Sequence, residues 1–149
     1  MFIYYFSRKN MRNFPFLSSS QSLLLFRITL PLFFVAHAVT RIANGTIERF
    51  AGFLSTKGFF ATTIMVWGIT IYEIIGGIVL AFGYYTKYLS LGFIFMLIMG
   101  NVIIHYENGW WVGEHGEGGM EYSCALILGL IVIAASKNEK PIFFEKTKV

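Results

Sequence analysis

Glu73 stands in the middle of one apolar run, residues 62–83, while Arg27, His37 and Arg41 punctuate another, residues 23–42. Asn101 and His105 lie in a third run, 88–105, and Glu121 and Tyr122 open a fourth, 120–136. An ionisable side chain in hydrocarbon costs about 3 kcal/mol or more, so it normally faces protein and has a partner. A carboxyl and an imidazole held together in such a place could exchange protons near neutral pH. Glu73 and His37 are therefore the candidate proton relay. Arg41, Asn101, His105, Glu121 and Tyr122 are candidates for a polar binding site.

The faces of the helices support an inward set. At 100° per residue, Arg27, Arg41 and His37 fall within an arc of about 80°. Glu73 continues through Gly77 and Ala81 at i, i+4 and i+8, a small-residue stripe along which another helix can approach closely. Asn101 and His105, four residues apart, are expected to point together. If every span is centred on the bilayer, Arg41, His105 and Glu121 lie roughly 10–13 Å outside the midplane, His37 and Asn101 roughly 7 Å outside it, and Glu73 near it. Glu73 then has no equal partner at its own depth. Arg27, five residues from the cytoplasmic end, is expected to be structural and to snorkel. Pro31 predicts a kink between Arg27 and His37.

Four runs approach the roughly 20 residues needed to cross about 30 Å of hydrocarbon, and they use a little over half of the 149 residues. Hydrophobic residues make up 56% of the chain and charged residues only 13%, with no aspartate, against roughly 25% charge in a soluble domain. No room remains for a soluble catalytic domain. The net charge of +4 sits on an apolar body, which argues against nucleic acid as a partner. Cys124, the single cysteine, excludes an internal disulfide and a C-x-x-C motif.

The expected architecture is all-α: a polytopic membrane four-helix bundle over residues 23–136, between an N-terminal arm, 1–22, and a basic tail, 137–149. Orientation follows from Lys and Arg outside the spans. Arg8, Lys9, Arg12, Lys87, Lys137, Lys140, Lys146 and Lys148 fall on one side, and only Arg41, Arg49 and Lys57 on the other. Both termini are expected in the cytoplasm. The arm does not read as a cleavable signal, because its apolar start precedes the basic cluster, and either Met1 or Met11 fits as the start.

In the first external loop, Asn44-Gly45-Thr46 is a stop and restart signal, and Ile47, Phe50, Phe53 and Leu54 follow at helical spacing. A short helix lying in the membrane interface is expected there. The third loop, 107–119, has five glycines, Trp110-Trp111 and three glutamates without Lys or Arg. Its tryptophans are expected at headgroup level, with a lid over a site as the second reading. His115 in that loop is expected to be solvated.

The ordered set of these residues resembles the DoxX family of small four-helix membrane proteins. Arg27, His37 and Arg41 are followed by Tyr72-Glu73-Ile74-Ile75-Gly76-Gly77, similar to the family's E-x-x-GG. Gly83, His105 with Asn108-Gly109, and Gly118-Gly119-x-Glu121-Tyr122 continue the pattern. The resemblance covers about residues 22–136. It implies a bacterial inner-membrane protein connected with quinone or redox chemistry, as a membrane subunit of an oxidoreductase complex that does not act alone. Gly76 and Gly77 would then be structural. The implied partners are the lipid bilayer, a quinone, oxidoreductase subunits and further copies of the chain.

Two other functions remain open on the same residues. A proton-coupled transporter or channel would use the chain of ionisable groups, although no paired interrupted helices mark inverted repeats. A scaffold without chemistry would use Arg41, His105 and Glu121 only to fix helix register. A metal site is the weakest option, since no H-E-x-x-H spacing exists.

Overall fold

Ser18 and Gln21 start the first helix by exchanging hydrogen bonds. The Gln21 N–H donates to the Ser18 hydroxyl at 3.2 Å, and the Ser18 N–H to the Gln21 side-chain oxygen at 2.9 Å. In the computed structural model, which describes residues 16–111 and 119–136, this helix is α1, Ser19–Ala43. It is followed by α2, Ile47–Thr56, α3, Thr62–Ala81, α4, Thr86–Gly100, and α5, Glu121–Ala135. A π-turn, Asn101–His105, and a 3-10 turn, Tyr106–Asn108, extend α4. No strand occurs among the described residues. His115, the tail, most of the N-terminal arm and much of the basic-residue count used for orientation lie outside them.

α1, α3 and α4 with its π-turn are long and apolar enough to cross a membrane, while α5 is apolar but shorter. Leu25, Leu32, Phe33, Ile64, Ile75 and Leu128 are exposed. On helices of this length and composition, such a surface faces lipid. The protein is an all-helical, multi-pass membrane protein in contact with the bilayer.

Two apolar clusters hold it together. Leu30 and Phe34 of α1 meet Leu80 of α3, Phe93 of α4, and Leu130 and Ile133 of α5. Phe34 and Phe93 bring their ring centroids to 4.5 Å, a separation favourable to tilted aromatic pairs. The other cluster seats Ile47, Ala51 and Leu54 of α2 on Val66 of α3. The apolar face of α2 is thus turned mainly toward protein. α3 offers the covering surface because it begins well before the level at which α1 ends.

Glycines permit the closest helix crossings. A Cβ built on Gly77 would lie 2.7 Å from Val35 Cγ2 and 3.1 Å from the Pro31 carbonyl oxygen, so α3 presses directly on α1. α1 runs through Pro31 as one helix. Gly83, with φ +86° at the α3–α4 turn, lies against the guanidinium of Arg27, whose Cζ would be 3.0 Å from a Cβ there. Arg27 is buried, at 3% exposure. Its long stem therefore ends under that turn and does not snorkel to solvent.

The segment after α2 is tied to the one after α4: Lys57 Nζ lies 2.9 Å from Glu107 Oε1. The start of α5 returns to the same segment, where the N–H groups of Met120 and Glu121 donate to the Gly109 and Trp110 carbonyls at 3.3 and 3.1 Å. Gly119 passes so close to the Trp110 and Trp111 backbone that a Cβ would collide with it. Trp110 and Trp111 are themselves exposed.

The Gly77 crossing predicts a specific pair of outcomes. Gly77→Ala lowers thermal stability by about 1–3 kcal/mol through overpacking. Gly52→Ala, where nothing lies within 4 Å of the added carbon, raises it by up to about 1 kcal/mol through helix propensity. Equal melting temperatures for the two variants in the same detergent would contradict the close α1–α3 approach.

Candidate functional site

Arg41 reaches from the last turn of α1 to Glu73 on α3. Its Nη1 lies 2.6 Å from Glu73 Oε2 and donates to the Thr70 hydroxyl at 2.8 Å, while Nη2 approaches Oε1 at 3.5 Å. The Thr70 hydroxyl donates in turn to the Val66 carbonyl at 2.7 Å. Phe50 of α2 covers the guanidinium, its ring centroid 5.4 Å from Cζ. Glu73 is 3% exposed and Arg41 9%. The pair is buried and nearly bidentate, a geometry that makes Arg the strongest carboxylate partner.

Glu73 therefore has a full-strength partner, contrary to the depth estimate that left it alone. That estimate centred every span at one level. α3 instead runs two turns, residues 62–69, before it reaches the Arg41 contacts, and α2 covers those turns. The guanidinium consequently meets the middle of α3 from near the end of α1.

Beside this pair lies a cavity of about 680 Å³ among α1, α2, α3, α4 with its π-turn, and α5. Arg41, Glu73, His37, His105, Tyr72, Tyr122 and Ser123 supply its polar groups, and its walls are otherwise mostly Phe, Leu, Ile and Met. Its volume falls within the range of small-molecule sites, about 300–1,000 Å³, and it combines apolar walls with a few polar groups as such sites do. His37 is exposed and His105 half-buried. Tyr122 lines the cavity from α5 while 55% exposed.

Asn101 and Glu121 do not line it. Asn101 opens the π-turn that His105 closes. Its Oδ1 is buried without a hydrogen bond. Glu121 is half-buried at the start of α5. Among the described residues, no three His, Cys, Asp or Glu side chains converge as metal ligands would.

Gly76 packs beside Phe93, Tyr72 and Leu89 at ordinary contact distances, whereas Gly77 makes the α1 crossing. Tyr72 was not singled out in the sequence, yet it shapes the cavity. Its hydroxyl donates to the Leu89 carbonyl at 3.0 Å, its ring lies 4.9 Å from Phe93, and only a glycine at position 92 leaves room for it. Thr70 was also missed, although its position three residues before Glu73 puts it on the same face.

Comparison with known proteins places this arrangement. The DoxX family model matches residues 22–106. The chain belongs to the DoxX family. The match takes in Arg27, His37, Arg41, Glu73, Gly76, Gly77, Asn101 and His105, and ends before α5. The DoxX pattern read at Gly118–Tyr122 lies beyond it. No curated protein and no solved structure matches the chain.

In this DoxX protein the buried pair makes a sharp stability prediction. Arg41→Ala or Glu73→Ala strands a charge and lowers the unfolding free energy by about 3–5 kcal/mol, while the double change Arg41→Met, Glu73→Leu recovers most of the loss. With the matching singles Arg41→Met and Glu73→Leu completing a double-mutant cycle, additive losses would show that the two side chains are not coupled.

Proposed function

We propose that this protein is a membrane subunit of a quinone-linked oxidoreductase complex, with a quinone headgroup held in the large cavity. The cavity's apolar walls around Arg41, Glu73, His37 and His105 carry the reading. A quinone suits these residues: its ring is flat and apolar, its isoprenoid tail belongs in lipid, and its two carbonyl oxygens accept hydrogen bonds. When bound, it supplies a two-electron, two-proton carrier.

This chain's contribution is to bind, orient and supply protons. His37 or His105 donates to a carbonyl oxygen, Tyr122 offers a hydroxyl at the rim, and the phenylalanines flank the ring. Glu73, held by Arg41, fixes the guanidinium in place and stands beside His37 as the inner member of the relay. The single cysteine cannot cycle between dithiol and disulfide. The electrons therefore come from a partner subunit.

The same reading includes a four-span bundle of residues 23–136 in the inner membrane, with both termini cytoplasmic and the cavity opening toward the outer face beneath Trp110 and Trp111. Eight basic residues against three support that orientation. α2 and the tryptophans then sit at headgroup level. A scaffold without chemistry is the second reading. It is favoured by the completeness of the Arg41–Glu73 pair, because a satisfied buried pair can serve register alone.

Quinone binding separates the two. Purified protein titrated with a short-tailed quinone shows saturable quenching of tryptophan fluorescence, and His37→Ala weakens binding about tenfold, the worth of one good hydrogen bond. Lys87→Gln, at the opposite end, leaves it unchanged. If wild type shows no saturable binding while Glu73→Gln alters only stability and assembly, the scaffold reading replaces the quinone one.

A further inference from the structure

A second, smaller cavity shares Arg41 with the first. It measures about 390 Å³ and is lined by Arg41, Thr46, Arg49, Phe50, Phe53 and Ile104, where the end of α1, the start of α2 and the π-turn meet. Arg49 is exposed and makes no ion pair among the described residues. Arg41 spends Nη1 on Thr70 and Glu73 and one Nη2 hydrogen on Glu73. Nε and the second Nη2 hydrogen remain available to a ligand.

We propose that this cavity is a binding site for the phosphate of an anionic phospholipid, gripped by Arg41 and Arg49. Charge selects the class. Two guanidinium groups and one carboxylate leave a single uncompensated positive charge, which a phosphodiester monoanion neutralises. Guanidinium forks match phosphate oxygens in a way that a point charge does not. Phe50, Phe53 and Ile104 provide an apolar wall for the glycerol and upper acyl carbons.

Depth selects the source. α1 has 25 residues, about 37 Å of helix, against about 30 Å of hydrocarbon. Arg41, in its last turn, therefore stands at the boundary where lipid phosphates lie. Because one guanidinium serves both the phosphate and Glu73, the lipid bound in the small cavity bears on the polar wall of the large one. The site itself does not depend on what the large cavity holds.

The test uses full-length protein freed of lipid in a neutral detergent and titrated separately with short-chain phosphatidylglycerol, phosphatidylcholine and inorganic phosphate, with bound species counted by native mass spectrometry. Phosphatidylglycerol binds at least about tenfold more tightly than phosphatidylcholine, whose choline cation offsets the charge of the same phosphate and is repelled by the arginines. Arg49→Gln, an exposed change that leaves the helices and the melting temperature intact, lowers phosphatidylglycerol affinity about tenfold. Lys87→Gln, which removes an equal charge elsewhere, does not. Equal binding of the two lipids, or an unchanged affinity in Arg49→Gln, overturns the proposal. Inorganic phosphate binding as tightly as phosphatidylglycerol overturns the lipid assignment in favour of a free anion.

Discussion

One ion pair between Arg41 and Glu73 sets the terms on which the rest of this membrane protein packs. A carboxylate on the third helix of an apolar chain could be tolerated by staying neutral, by reaching water, or by meeting a cation. Here it meets a cation. The guanidinium arrives from the end of α1, Thr70 takes another of its hydrogens, and Phe50 closes over it. Each of these contacts constrains an element: α1 must approach α3, which Gly77 allows, and α2 must fold back across the first turns of α3, which Val66 anchors.

The cavity is a consequence of that geometry. Above it, α2 packs on α3; below it, Phe34, Leu80, Phe93, Leu130 and Ile133 close the space among the long helices. Between the two clusters the polar pair occupies one wall. The π-turn widens the opposite wall and delivers Ile103, Ile104 and His105 to it. What remains is a space with apolar walls and a polar side, the chemistry that an amphiphilic ligand needs.

Much of the fold was legible because membrane residence enforces simple rules. Backbone groups in lipid must bond within their own helix, so long apolar runs become helices, and the four runs each coincide with one. The inward face of α3 was readable from Glu73, Gly77 and Ala81, all buried. The partner of Glu73 was not readable, because a ladder of 1.5 Å steps ignores how helices are offset and how far an arginine reaches. Arg27 went astray for a related reason: a terminal arginine can turn outward or tuck under a turn, and only the glycine at position 83 decides. No residue pattern announces the π-turn at residues 101–105. The apolar spacing of α2 was visible, but whether protein or headgroups would cover it depended on how far α3 projects.

The account therefore stands or falls on whether Arg41 and Glu73 touch in the bilayer. Selective labelling of arginine side-chain nitrogen and glutamate carboxyl carbon, followed by dipolar recoupling in solid-state NMR of protein in lipid, measures this directly, with Glu73→Gln as the assignment control. A contact of 2.6 Å between Nη1 and Oε2 predicts a strong coupling, at an N-to-C distance of about 3.5 Å, that disappears from the spectrum of the Gln variant. A signal identical in wild type and variant, or no coupling in wild type, would contradict the account.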